Sequence, residues 1–195
     1  MKVNFVKTFI PAKDFVAVEK VGNKMLVRFD AVKDADMDAY SCVDGSVSES
    51  EYDEQEVRRE YEAWKQKWAE KALVLAKKAK IAEIAAYDTS DKVNGFTLNG
   101  LLVWLDKATR VGLMNSTTIA KAAGQQTTTL WLGGIKLAVD CDKAIQLLSA
   151  LEMYALECFN VTASHKQAVS ELTTIEEVEA YDYKACYPKM LAMSV

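Results

Sequence analysis

The chain has 195 residues, half of them hydrophobic and 27% charged, which is the balance of a folded globular protein with room for one sizeable core or two small ones. Two prolines and eight glycines exclude collagen-like and Pro/Gly-rich low-complexity architecture. A net charge of −4 argues against a general nucleic-acid binder, and a single histidine leaves little room for histidine-based catalysis or metal binding.

The four cysteines, Cys42, Cys141, Cys158 and Cys186, have no C-x-x-C spacing and cannot complete a usual zinc site with His165. They read as reduced, mostly apolar residues. No apolar run is long enough for a membrane span, and the first residues lack a signal-peptide core. The expectation is a soluble protein of a reducing cytoplasm.

Residues 1–45 read as a small β module. Val3 to Val6 alternates, and two β-rich runs, Phe15 to Val18 and Met25 to Phe29, flank a Gly22-Asn23 turn signal. Pro11 marks an edge or bend. The stretch after Asp30 is small and acidic without a clear period, so it reads as a loop. Such a module is too small to bury much apolar surface alone and should lean on another element.

Residues 46–86 read as a long connector helix, capped by Ser48 or Ser50. Seven acids face two arginines between Glu49 and Glu62, and six lysines face one acid between Ala63 and Lys80, a polarity that follows the helix macrodipole. An apolar stripe at Val57, Tyr61, Trp64, Trp68, Ala72, Leu75 and Ala79 steps by 4, 3, 4, 4, 3 and 4, an eleven-residue repeat. Two readings stand open. The tryptophans pack on the chain's own core, or Val57, Tyr61, Trp64, Trp68 and Leu75 form a candidate interface with a partner or a second copy.

Residues 87–195 read as an α+β domain with an internal duplication. Phe96 to Leu105 around Asn99-Gly100, and Thr128 to Val139 around Gly133-Gly134, are strand–turn–strand patterns, each followed by a helix with an Asp at its start. The economical arrangement is an antiparallel sheet of two β-hairpins packed with helices, ββα repeated twice plus a terminal helix. That last helix opens at Thr173-Thr174-Ile175-Glu176-Glu177, which has the form of a capping box. Trp104 and Trp131, one from each hairpin, are expected to fill a shared core, the alternative being a carbohydrate or peptide platform.

Motifs that could carry chemistry favour structural readings. Asp34-x-Asp36-x-Asp38 imitates the start of a calcium loop, but Ala39 and Gly45 occupy the positions of its turn glycine and bidentate glutamate. Ser164 and His165 are adjacent on a helix and point apart, so His165 reads as a surface or half-buried polar residue. Gly133-Gly134 lacks a phosphate-binding pattern, and Lys107 with Arg110 is too little for a nucleic-acid footprint. No catalytic residue, metal ligand or cofactor is assigned.

The segments Asn94 to Gly100, Trp104 to Arg110, Thr128 to Gly134 and Glu176 to Tyr183 resemble an uncharacterised domain family common in tailed bacteriophages and prophages, notably of gut Bacteroidetes. The resemblance covers about residues 80–195. The whole chain is similar in organisation to tail-fibre assembly proteins, which join a small β unit to a helix and a variable C-terminal module. The resemblance implies a non-enzymatic protein acting by protein–protein contact, as a virion component or a tail or tail-fibre assembly factor. Its expected partners are other phage structural proteins or itself, with no nucleic acid and no membrane. Its expected place is the host bacterial cytoplasm during assembly, and the virion. The alternatives are a phage-encoded enzyme or small-ligand binder, or a host-directed regulator or inhibitor.

Overall fold

The computed structural model describes residues 2–195 and has the mixed α+β character expected. The chain divides into two compact units, Met1–Ala72 and Leu73–Val195, and one long helix contributes to both.

The first unit is a four-stranded antiparallel sheet. Its strands are β1 (Asn4–Pro11), β2 (Val18–Val21), β3 (Lys24–Asp34) and β4 (Ala39–Ser48), in the order β1-β4-β3-β2. The Gly22-Asn23 turn joins β2 to β3, with Gly22 at φ +60° as a tight hairpin requires. The stretch after Asp30 corrects the loop expectation, because it completes β3 and supplies β4, the longest hairpin of the chain. The signal was the alternation Val43, Gly45, Val47, masked by small and polar neighbours. Gly45 is small for a reason: a Cβ there would meet the Phe5 ring at 2.8 Å.

Helix α1 (Glu54–Asp88) covers one face of this sheet with its first half. At about 1.5 Å per residue it is roughly 53 Å long. Its cap is Asp53, whose Oδ1 accepts the Glu56 amide at 3.0 Å, in place of the expected Ser48 or Ser50. Ser48 instead precedes a short 3-10 turn at Glu49–Glu51. Val57 and Tyr61 are buried among Val27, Phe29, Val43 and Val47, and this is how a module too small to fold on its own strands gains a core.

The second unit begins with the rest of α1, where Leu73, Ala76, Ile81 and Ile84 pack near Val169 and Val178. It continues through α2 (Asp91–Asn94), β5 (Phe96–Leu98), β6 (Leu101–Val103), α3 (Lys107–Ala122), β7 (Thr127–Leu132), β8 (Ile135–Asp140), α4 (Cys141–Glu171), α5 (Ile175–Ala180) and β9 (Leu191–Met193). The two ββα units are present, β5-β6-α3 and β7-β8-α4. Their hairpins do not share one antiparallel sheet. Strand β5 pairs with β6 on one side and, in parallel, with β9 on the other, so β7 and β8 form a sheet of their own. The terminal segment is fastened there by the Asn99 amide on Met193 O and the Val195 amide on Asn99 Oδ1. Phe96, Leu98, Leu130, Leu132, Leu148 and Leu151 form the centre of the main core.

The helix ends in this unit follow the sequence signals. Asp106 caps α3, Gly124 follows that helix at φ +85°, and Thr174 with Glu177 makes a reciprocal capping box on α5. No helix among the described residues is long and apolar enough to cross a membrane.

Candidate functional site

The stripe on α1 does not act as one surface. Val57 and Tyr61 are buried inside the first unit, so they are not open to a partner. Tyr61 is 3% exposed, stacks on Phe29 with centroids 4.1 Å apart, and donates its hydroxyl to Asp30 Oδ2 at 2.7 Å. Burial and that carboxylate push its phenol well above the ordinary tyrosine range. Trp64 is half-buried and continues the stack, and Trp68, 47% exposed, ends it with Lys7 over its ring. Leu75 is exposed and belongs to the second unit, where α1 buries Ile84 and half-buries Leu73, Ala76 and Ile81. The eleven-residue register therefore ends near Trp68 as a packing pattern.

The two other tryptophans also depart from expectation. Trp104 is 38% exposed and Trp131 is 58% exposed, with Lys136 over the latter's ring, so they do not fill a shared core. Aliphatic residues take that volume, with Leu130 and Leu132 pointing inward from β7 on either side of Trp131. Strand alternation decides this: inward Leu130 and Leu132 force Trp131 outward.

His165 is buried. Its Nε2 lies 3.0 Å from Ala185 O and its Nδ1 lies 2.9 Å from the Tyr181 hydroxyl. A carbonyl only accepts, so Nε2 carries the proton and, in the neutral ring, Nδ1 accepts from Tyr181. Ser164 turns away and donates to Asn160 O on its own helix, so the two do not converge. The histidine ties the segment after α5 to α4. Cys42, Cys141 and Cys158 are buried free thiols, and Cys186 is an exposed one. In the Asp34 loop, Asp34 Oδ1 accepts the Asp36 and Met37 amides, which closes the β3–β4 turn.

A cleft that gathers both polar and aromatic side chains lies in the second unit and has a volume of about 400 Å³. The spacing of Glu152, Ala155, Leu156 and Phe159 places them along one face of α4. Opposite them, the first turn of α3 supplies Asp106, Lys107 and Arg110, and Trp104 precedes it. The end of α1 and α2 add Asp88, Thr89 and Asn94.

Arg110 anchors this cleft. It is 8% exposed, donates Nε to Glu152 Oε1 at 2.9 Å, and donates Nη1 to Leu105 O at 2.8 Å. The pair joins α3 to α4 across 42 positions of sequence. Asp106 caps α3 with both of its oxygens. The Thr109 hydroxyl and amide both bond it, and they hold its carboxyl below the ordinary carboxylate range. Asp88 accepts from the Thr162 hydroxyl at 2.8 Å, and the Tyr187 hydroxyl in turn faces Thr162. Beneath the cleft, Tyr154 and Cys158 both donate to Val93 O, and burial raises both of their pKa values.

Sequence reasoning missed this cleft. Arg110 was visible only as one of two cations, and Glu152 drew no functional reading. An acid at the edge of an apolar helical stripe, with an arginine elsewhere to meet it, is the signal that was present.

Residues 75–185 match a protein family described as Domain of unknown function (DUF4376). No curated protein and no solved structure matches the chain. The matched segment takes in α1 from Leu75 onward, both ββα units, the whole cleft and His165 with Tyr181 and Ala185, which is more than half of the chain, so this protein belongs to the DUF4376 family.

Proposed function

We propose that this chain is a non-enzymatic bacteriophage protein that works by protein–protein contact, as a virion component or as a tail or tail-fibre assembly factor. The observation that carries the reading is the aromatic and aliphatic surface left open at the cleft. Trp104, Leu156 and Phe159 are all exposed there, beside the fixed Arg110–Glu152 pair. Apolar surface of this kind, bordered by ordered polar groups, is what contact sites present to their partners. The resemblance of the C-terminal segments to a domain family common in tailed phages suggests the biological setting, and its partners would be other phage structural proteins.

The test is to express the tagged chain with its genomic neighbours and to analyse purified particles by mass spectrometry. The reading expects a defined phage protein to co-purify with the chain, or the chain itself to appear in the particle. A chain that stays alone and monomeric, and is absent from particles, overturns it.

A further inference from the structure

The wall and floor of the cleft differ in chemistry, and together they specify what fits. On the wall, Trp104 and Phe159 offer ring faces that the chain leaves uncovered. Among the described residues neither ring stacks on another aromatic and neither carries a cation, whereas Trp64 and Trp68 stack on each other and Trp131 lies under Lys136. Phe159 is 60% exposed.

On the floor, carboxylate and amide oxygens remain open. Glu152 spends one oxygen on Arg110, and its side chain remains 34% exposed. Asp88 spends one oxygen on Thr162, and Asn94 gives one amide hydrogen to Asp88 O and keeps its carbonyl oxygen open. The charge of Arg110 is matched where it sits by Glu152, and Lys107, exposed at the start of α3, is the lining cation without a partner among the described residues, set against Asp88 and Asp106. Ring faces next to half-satisfied carboxylates favour a cation twice over, through the ring quadrupole and through the anionic oxygens, while the apolar rim suits an aliphatic stem.

We infer that this cleft receives a lysine or arginine side chain projecting from a partner polypeptide. The inference rests on the protein-contact reading and gives that contact its chemistry. A volume of about 400 Å³ is near the lower end of the roughly 300–1,000 Å³ of ligand pockets, so it suits one long side chain and its neighbours. Arg110 Nη2, which has no partner among the described residues, gives a main-chain carbonyl of the same segment a donor. An acidic segment is disfavoured because Asp88, Asp106 and Glu152 line the cleft against Lys107 and Arg110.

The experiment is calorimetric titration of the full chain with end-blocked heptapeptides carrying one lysine among leucines, and with their glutamine and glutamate counterparts. N-acetyl-lysine amide serves as a free cation of the same chemistry. The lysine peptide should bind saturably, the glutamine peptide about tenfold more weakly, and the glutamate peptide not at all. Phe159→Ala and Trp104→Ala should each weaken the lysine peptide about tenfold, and Phe159→Ala should leave thermal unfolding unchanged. Equal binding of the glutamine or glutamate peptide, unchanged affinity in Phe159→Ala, or no saturable binding of the lysine peptide overturns the inference. So does N-acetyl-lysine amide binding as tightly as the peptide, which would assign the cleft to a free cation. A phage partner whose co-purification is undiminished by Phe159→Ala would remove this cleft from the account and leave the contact reading standing.

Discussion

Replacing Tyr61 separates a core position from an interface position on α1. The ring is 3% exposed and stacked on Phe29 at 4.1 Å, so Tyr61→Ala removes a buried aromatic at a cost of about 3–5 kcal/mol. Tyr61→Phe keeps the stack and removes only the hydroxyl bond to Asp30. The Asp30 side chain is 59% exposed, so water replaces much of what is lost, and the cost falls to about 0.5–1 kcal/mol. For a unit of this size roughly 4–8 °C of melting temperature follows each kcal/mol. Thermal unfolding of the full chain should therefore show a drop of a few degrees for Tyr61→Phe and a loss of most of the first unit's stability for Tyr61→Ala. A Tyr61→Ala chain that melts like the wild type, yet loses an oligomer or a complex, would refute the core assignment and restore the stripe as an interface.

Trp131→Ala should cost less than about 1 kcal/mol in thermal unfolding, because its ring is largely in solvent; a loss of about 3–5 kcal/mol would mean a buried ring. His165→Leu leaves the Ala185 carbonyl and the Tyr181 hydroxyl without their partner and should cost about 1–3 kcal/mol, with faster proteolysis near Lys184; wild-type proteolysis would contradict the fastening role. Tyr61 and Tyr154 are raised by burial, so the stability they contribute is complete below the unfolded phenol value of about 10 and is lost as pH rises through the raised values. Phenolate absorbance should show both ionising late, together with unfolding; titration alongside the exposed tyrosines would contradict their burial. The Glu177 carboxyl is held below its ordinary range by the Thr173 and Thr174 amides, so the capping box should weaken as pH falls through that lowered value, which hydrogen exchange of α5 would report.

The elements legible in the sequence were those with strong local signals. Helix α1 showed in its charge polarity and its freedom from Gly and Pro, and the two later hairpins showed in Asn99-Gly100 and Gly133-Gly134. Asp106 and the Thr174–Glu177 box announced their helices. What escaped depends on distant partners. Strand β4 carries Gly45 because the Phe5 ring, forty positions earlier in sequence, fills the space a Cβ would need. Strand β9 forms only because β5 offers it an edge. The outward turn of Trp131 follows from the choice of Leu130 and Leu132 as the inward pair. The cleft depends on Arg110 meeting Glu152 between two helices, which no local pattern encodes.

The most direct measurement of the central claim places a photo-activatable cross-linker at Leu156, an exposed position on the cleft wall, in cells that also produce the proteins of its genomic neighbours. Mass spectrometry of the adduct would identify both the partner and the cross-linked peptide. The account predicts one defined phage structural or assembly protein, joined close to a lysine or arginine, with the adduct lost in Phe159→Ala. No adduct at Leu156, or the same adducts from a cross-linker placed at exposed Gln125 outside the cleft, would contradict it.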